Sequence, residues 1–126
     1  HGKPNQTNGD HQWEYHSDSA NNYSNRTSFN GGSDYTQTGI NFLRPLGGTA
    51  NQPFFDVHHI INISDEEKLI TGQAVQVNSS GSGDTMTRSE YVGKWANTSN
   101  QMTEVKAKLR VGSYNVDSNV TVIGTD

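Results

Sequence analysis

The stretch from Gln101 to Val111 constrains this chain more than any other. Val105, Ala107, Leu109 and Val111 alternate there with Glu104, Lys106, Lys108 and Arg110, a two-residue period that puts one set on each face of a pleated strand. The apolar set points inward, and the charged set faces water or a partner. No segment carries an apolar stripe at helical spacing, so no helix longer than a turn is expected.

Other segments show the same period more weakly. Trp13 and Tyr15 share a face over Gln12 to His16. From Phe54 to Ile63, Phe55, Val57, His59, Ile61 and Ile63 fall on one side and Phe54, Asp56, His58, Ile60 and Asn62 on the other, and one of these is a core face. Ser64-Asp65-Glu66-Glu67 makes a polar turn, and Leu69 to Asn78 follows as a strand with Val75 and Val77 on one face, so the two segments pair as a hairpin. Arg88 to Trp95 is a further strand, and Asn119 to Gly124 closes the chain with Val120 and Val122 inward. Ser17 to Ser33 is rich in Asn and Ser, has turn chemistry at Asn30-Gly31-Gly32, and holds only Tyr23 and Phe29 as large anchors. A weaker extended piece runs from Tyr35 to Leu43, before Pro45 and Gly47-Gly48 break the chain in a long surface loop. Ser79 to Asp84 is a Gly/Ser loop. Six to eight short strands, with turn signals about every 8–12 residues, predict an all-β fold: an antiparallel β sandwich of jelly-roll type. Residues 1–14 read as a polar N-terminal arm and 15–126 as a single sandwich domain.

Composition decides how thin that sandwich is. Leu, Ile, Val and Phe together number 23 of 126, below the roughly 20% at which chains verge on disorder. Charged residues are only 17%, however, and eleven aromatics remain to be buried. Sheets with one apolar and one wet face can fold on that supply. They bury little per residue, so subunit contacts are expected to contribute much of the stability. Nine Lys and Arg against thirteen Asp and Glu, with no basic cluster, exclude nucleic acid as the main partner. No apolar run approaches the roughly 18 residues that would suggest a membrane span, and His1 to Asp10 lack the apolar core of a signal peptide. Cysteine is absent, so no disulfide staples the fold.

The residues that could carry chemistry do not assemble into a known pattern. His58 and His59 are adjacent on a strand and point to opposite sides, so one metal cannot take both without a bulge; the expected state is one solvated imidazole and one packed on aromatics. His1 meets only the first requirement of a copper brace. Gly81-Ser82-Gly83 lacks the strand–loop–helix setting and the Lys-Ser/Thr of a phosphate loop. No Gly-x-Ser-x-Gly elbow occurs, and the carboxylates of Asp65 and Glu66-Glu67 sit in a turn rather than a cleft. Trp13, Trp95, Tyr15, Tyr23, Tyr35, Tyr91 and Tyr114 are either core residues or a platform for sugar rings. Seven Asn-x-Ser/Thr sequons begin at Asn5, Asn22, Asn25, Asn62, Asn78, Asn97 and Asn119, and they matter only in a glycosylating host. No catalytic residue, metal site or cofactor is assigned.

A run of spaced blocks carries a resemblance. The blocks are Asn22-Tyr23-Ser24-Asn25-Arg26, Asn30-Gly31-Gly32-Ser33-Asp34, Ile61-Asn62-Ile63-Ser64 with Glu67-Lys68-Leu69, and Gly93-Lys94-Trp95-Ala96-Asn97-Thr98-Ser99. Gln101-Met102-Thr103 and the ending Asp117-Ser118-Asn119-Val120-Thr121-Val122-Ile123-Gly124 continue it. From Tyr15 onward the chain resembles small β-rich proteins of tailed-phage genomes and environmental viral sequence. The resemblance implies a virion-associated structural or decoration protein of jelly-roll type, oligomeric, with no catalytic residue to carry over. Members of that group have strand-forming sequence before the Asn-Tyr block, where this chain has about twenty polar residues. Either a strand lies outside this sequence, or the fold borrows one from a neighbour.

The expected function is therefore that of a non-enzymatic structural protein located on a virion, self-associating and contacting other virion proteins, with no nucleic-acid or membrane partner. Its structural residues are Gly93, Lys94, Trp95 and Asn97, with Val105, Leu109, Val120 and Val122 in the core. Trp95 is an anchor, and Asn97-Thr98 closes the turn before a final hairpin. The alternatives are a carbohydrate- or receptor-binding sandwich that takes a glycan, and an extracellular filament subunit assembled by strand donation.

Overall fold

The computed structural model describes residues 1–5, 10–46, 51–78, 81–83 and 85–124. Its strands are β1 (His11–Tyr15), β2 (Tyr23–Phe29), β3 (Tyr35–Ile40), β4 (Leu43–Leu46), β5 (Phe54–Ile61), β6 (Lys68–Val77), β7 (Met86–Trp95) and β8 (Val105–Leu109), and no helix occurs among the described residues. They form a three-stranded sheet in the order β4-β1-β8 and a five-stranded sheet in the order β3-β2-β7-β6-β5, with every pairing antiparallel. The chain is an antiparallel β sandwich.

Turn chemistry sets the hairpins. Asn30 and Gly31 both have positive φ, and the Gly32 N–H donates to the Phe29 carbonyl at 2.9 Å. That is a tight two-residue turn at the end of β2, and the ladder with β3 takes up at Thr27 opposite Tyr35. β5 and β6 pair without a slip from Phe54 opposite Gln76 to Ile61 opposite Leu69, as the polar turn after Ile63 predicts.

The core lies between the sheets. Trp13 and Tyr15 of β1 and Leu43 of β4 meet Tyr23, Ile70, Tyr91 and Trp95 of the large sheet. Five of these seven are aromatic, and each aromatic side chain buries about 150–250 Å². This is how a chain short of aliphatics closes its interior.

Several expectations need correction. Residues 11–14, grouped with the arm for their polarity, lie in β1, the central strand of the small sheet. The Asn/Ser-rich segment contains β2, whose inward residues are Tyr23, Asn25 and Thr27. Polar side chains can sit there because the Asn25 Nδ2 donates to Thr27 Oγ1 at 3.0 Å. The loop placed at Pro45 is partly strand: β4 is an edge strand, where a missing proline N–H costs no ladder bond. Gly47-Gly48 lies outside the described residues, as do parts of the Ser79 to Asp84 loop. β8 stops at Leu109, and Val111 is exposed.

Two corrections bear on function. Residues 119–124 form no strand, and Val120 and Val122 are 52% and 68% exposed rather than inward. No final hairpin follows Asn97, because β8 pairs with β1 at the other end of the chain. The choice of face that alternation left open on β5 is also decided: Phe54, Asp56, His58 and Ile60 point inward, and the face richer in aliphatics points outward.

Candidate functional site

Three features of the sandwich are candidates: a buried polar cluster, the outer face of the large sheet, and the free edge of β5. The cluster centres on Asp56. Its carboxylate accepts from Trp13 Nε1 at 2.6 Å and from the Tyr91 hydroxyl at 2.7 Å, and His11 Nε2 sits 3.2 Å away. That imidazole is off the line of a good hydrogen bond. His11 Nδ1 meets the Tyr114 hydroxyl at 2.6 Å on its other side. His58 packs edge-on against Trp13, with ring centroids 4.7 Å apart, while His59 points to solvent. The expected split between a packed and a solvated imidazole holds.

Burial sets the protonation of this cluster. Desolvation pushes His11 and His58 below the ordinary imidazole value against the pull of the Asp56 charge. Burial alone would push Asp56 up, but the neighbouring His11 imidazole and the donors from Trp13 and Tyr91 outweigh it and hold the carboxyl below its usual range. Burial, with the Asp56 charge, drives the Tyr91 hydroxyl far up, so it stays a donor. The Asp56 side chain is only 2% exposed, and its partners all come from within the fold. Among the described residues no group of three His, Cys, Asp or Glu is placed to hold a metal ion.

The outer face of the large sheet is a different environment. Phe55, Val57, Ile61, Leu69 and Val92 are each 45 to 55% exposed, and the cross-strand register sets Ile61 beside Leu69 and Thr71 beside Val92. A shallow groove of about 640 Å³ crosses this face between the Thr36–Thr38 side and the His59–Ile61 side. Arg26 and Lys94 stand along it, the latter paired with Glu67 at 2.8 Å. Single exposed apolar side chains are ordinary, and a set on adjacent strands is what makes this face a candidate interaction surface.

The free edge of β5 completes the picture. The Phe54 N–H and C=O both bond Gly2, at 2.8 and 3.0 Å, on the side away from β6, while the Pro53 carbonyl accepts from Val77 of β6. Because these directions alternate along a strand, the backbone groups of Asp56, His58 and Ile60 also point away from β6. Among the described residues none of them has a hydrogen-bond partner there. Asp56 is partly exposed although its side chain is not, so its exposed part is main chain.

The expected structural residues fall into two groups. Trp95 is fully buried and donates from Nε1 to Asp18 Oδ2 at 2.7 Å. Gly93 lies beneath Leu43, whose Cδ1 would be 2.2 Å from an added Cβ. Asn97 Oδ1 accepts from the N–H groups of Ser99 and Asn100, and its carbonyl accepts from the buried Lys68 Nζ at 3.0 Å. Those residues, with Lys94, gather at one end of the sandwich. Val105 and Leu109 turn inward from β8 but stay half-buried, and Val120 and Val122 are outside the core. Of the aromatics weighed as a sugar platform, Trp13, Trp95, Tyr15, Tyr23 and Tyr91 are buried, whereas Tyr35 is exposed. Sequence reasoning missed the Asp56 cluster, although the placement of Asp56 and His58 on the face opposite Phe55 and Val57 was its one visible sign. No family model, no curated protein and no solved structure matches this chain.

Proposed function

We propose that this chain is a non-enzymatic structural subunit whose activity is self-association, a virion-surface building block of the kind its spaced sequence blocks resemble. One observation carries the reading: Phe55, Val57, Ile61, Leu69 and Val92 stand exposed together on the outer face of the large sheet. A chain with so few large apolar side chains leaves five of them in water only at a cost, at about 25 cal/mol per Å² of apolar surface, and a partner surface removes that cost. The Asp56 cluster supports the same reading, because its acceptors are filled by Trp13 and Tyr91 from inside the fold. The nested pairing of β1 with β8 and β2 with β7 supports a jelly-roll-type arrangement.

Sedimentation of the purified chain tests the proposal. An oligomer at micromolar concentration is expected, and Val57→Ser with Leu69→Ser should weaken it while the subunit stays folded. A stable monodisperse monomer overturns the reading. Saturable glycan binding lost on Tyr35→Ala would favour the carbohydrate-binding alternative in its place.

A further inference from the structure

The sandwich is short of one strand, and the chain carries a segment that fits the place. β4 packs over β7, β2 and β6, and β1 crosses the large sheet, with His11 on Phe54 at 4.4 Å and Trp13 bonded to Asp56 at one end and Tyr15 bonded to the Tyr23 hydroxyl at the other. The small sheet runs β4-β1-β8, so β8 is its edge strand on the side of β1 away from β4. Val105 and Ala107 pack at the margin of the core, and with Leu109 they stay half-buried despite the cleanest alternation in the sequence. Beside β5 and beneath β8 there is thus a slot with unpaired backbone on one wall and half-covered apolar side chains above. The Gly2–Phe54 bridge bounds it at one end, and the paired hydrogen bonds between Asn62 and Met102 bound it at the other.

Residues 119–124 have the opposite surplus. Asn119-Val120-Thr121-Val122-Ile123-Gly124 alternates as a strand does, forms none, and exposes Val120, Val122 and Ile123 at 52, 68 and 91%. The slot spans Asp56 to Ile60, and Val120 to Gly124 is the same length, about 17 Å at roughly 3.4 Å per residue. The segment does not reach the slot of its own subunit. Asn119 is held by His1 through bonds of 3.0 and 3.1 Å, and residues 1–5 lie between it and β5. It is therefore set one strand position out from the free edge.

We infer that subunits join by strand donation: Val120 to Gly124 of one copy lies antiparallel along the free edge of β5 of the next, beneath β8. With Val122 opposite His58, Val120 faces Ile60 and both valines turn inward under β8. Thr121 and Ile123 then turn outward beside His59 and Val57, which extends the apolar outer face. Neither the outward side of β5 nor residues 120–124 carry a Lys, Arg, Asp or Glu, so no like charges meet. This inference rests on the self-association reading and specifies its interface.

The test uses the absence of native cysteine. Residues 59 and 121 would form a non-hydrogen-bonded pair with Cα atoms about 4.5 Å apart, within reach of a disulfide. Chains carrying His59→Cys and chains carrying Thr121→Cys, mixed and mildly oxidised, should give a covalent heterodimer as the dominant product. Val120→Asp with Val122→Asp, at positions exposed in the subunit, should leave its melting curve intact and raise the concentration needed for assembly about a hundredfold or more. Undiminished assembly of the double-Asp chain overturns strand donation and leaves the outer face as the interface. A bond formed only within single chains carrying both cysteines overturns it too, since the segment would then close its own slot. A wild-type monomer removes the functional proposal as well.

Discussion

The two faces of β5 invert the usual division between inside and outside. Inward, Asp56 and His58 sit with Phe54 and Ile60 against Trp13, Tyr15 and Tyr91; outward, Phe55, Val57 and Ile61 stand in solvent. The inward polar groups tolerate burial because neighbouring aromatic N–H and O–H groups satisfy the carboxylate. Tyr and Trp supply both the apolar body of the core and the donors that a buried Asp requires. The outward aliphatics have no comparable compensation within the subunit. The difference teaches that, on the proposed self-association, burial in the isolated subunit and burial in the assembly are set by different residues of one strand. Inner-face substitutions should therefore act on folding, and outer-face substitutions on association.

The largest effect expected on the inner side comes from Trp95→Ala. The ring is fully buried and its Nε1 is bonded to Asp18, so the loss should be roughly 3–5 kcal/mol, read from urea unfolding. A change below about 1 kcal/mol would mean the ring contributes no more than a typical substitution, and the aromatic core would not be what closes the sandwich. Asp56→Ala should come next, at roughly 2–4 kcal/mol, because it leaves the Trp13 N–H and Tyr91 O–H buried without an acceptor. Across the strand, Val57→Ser should change subunit stability by no more than about 0.5 kcal/mol, measured where the chain is monomeric. If Val57→Ser costs as much as Asp56→Ala, the contrast between the faces is broken.

Sequence periodicity located most of this fold but could not orient it. The β5–β6 hairpin, β7 and β8 follow from alternation, and the turn at Asn30-Gly31 from residue type. Alternation alone does not say which face is covered, and on β5 counting aliphatics points to the face that is outside. The polar inward residues that reverse the choice, Asp56 and His58, are acceptable only because Trp13 and Tyr91 arrive from distant strands, a long-range fact that a local window does not contain. β2 was hidden by the polarity of its inward residues, of which Asn25 donates to Thr27 inside. Val120 and Val122 show the reverse case: a strand pattern is present, but among the described residues no strand pairs with it. Trp95 and Asn97 were legible because a large anchor and a turn cap are each local, whereas the close approach of Leu43 to Gly93 comes from a distant strand.

The smallest effect is a pH dependence confined to the inner face. His11 and His58 are held below the ordinary imidazole value mainly by burial, so the unfolded chain binds protons there more readily than the folded one. Their contribution is fully present above about pH 6.5, the ordinary imidazole value, and is lost as pH falls below it. Asp56 has the same sign at lower pH: its depressed pKa gives stability that is present above the ordinary carboxyl range and lost as pH drops through the folded value. Melting temperature should accordingly hold between pH 8 and about 6.5 and decline toward pH 5. In His58→Gln the decline should be shallower, because one of the two imidazoles no longer titrates. If His58→Gln declines as steeply as the wild type, the buried imidazole of β5 is not what takes up the proton.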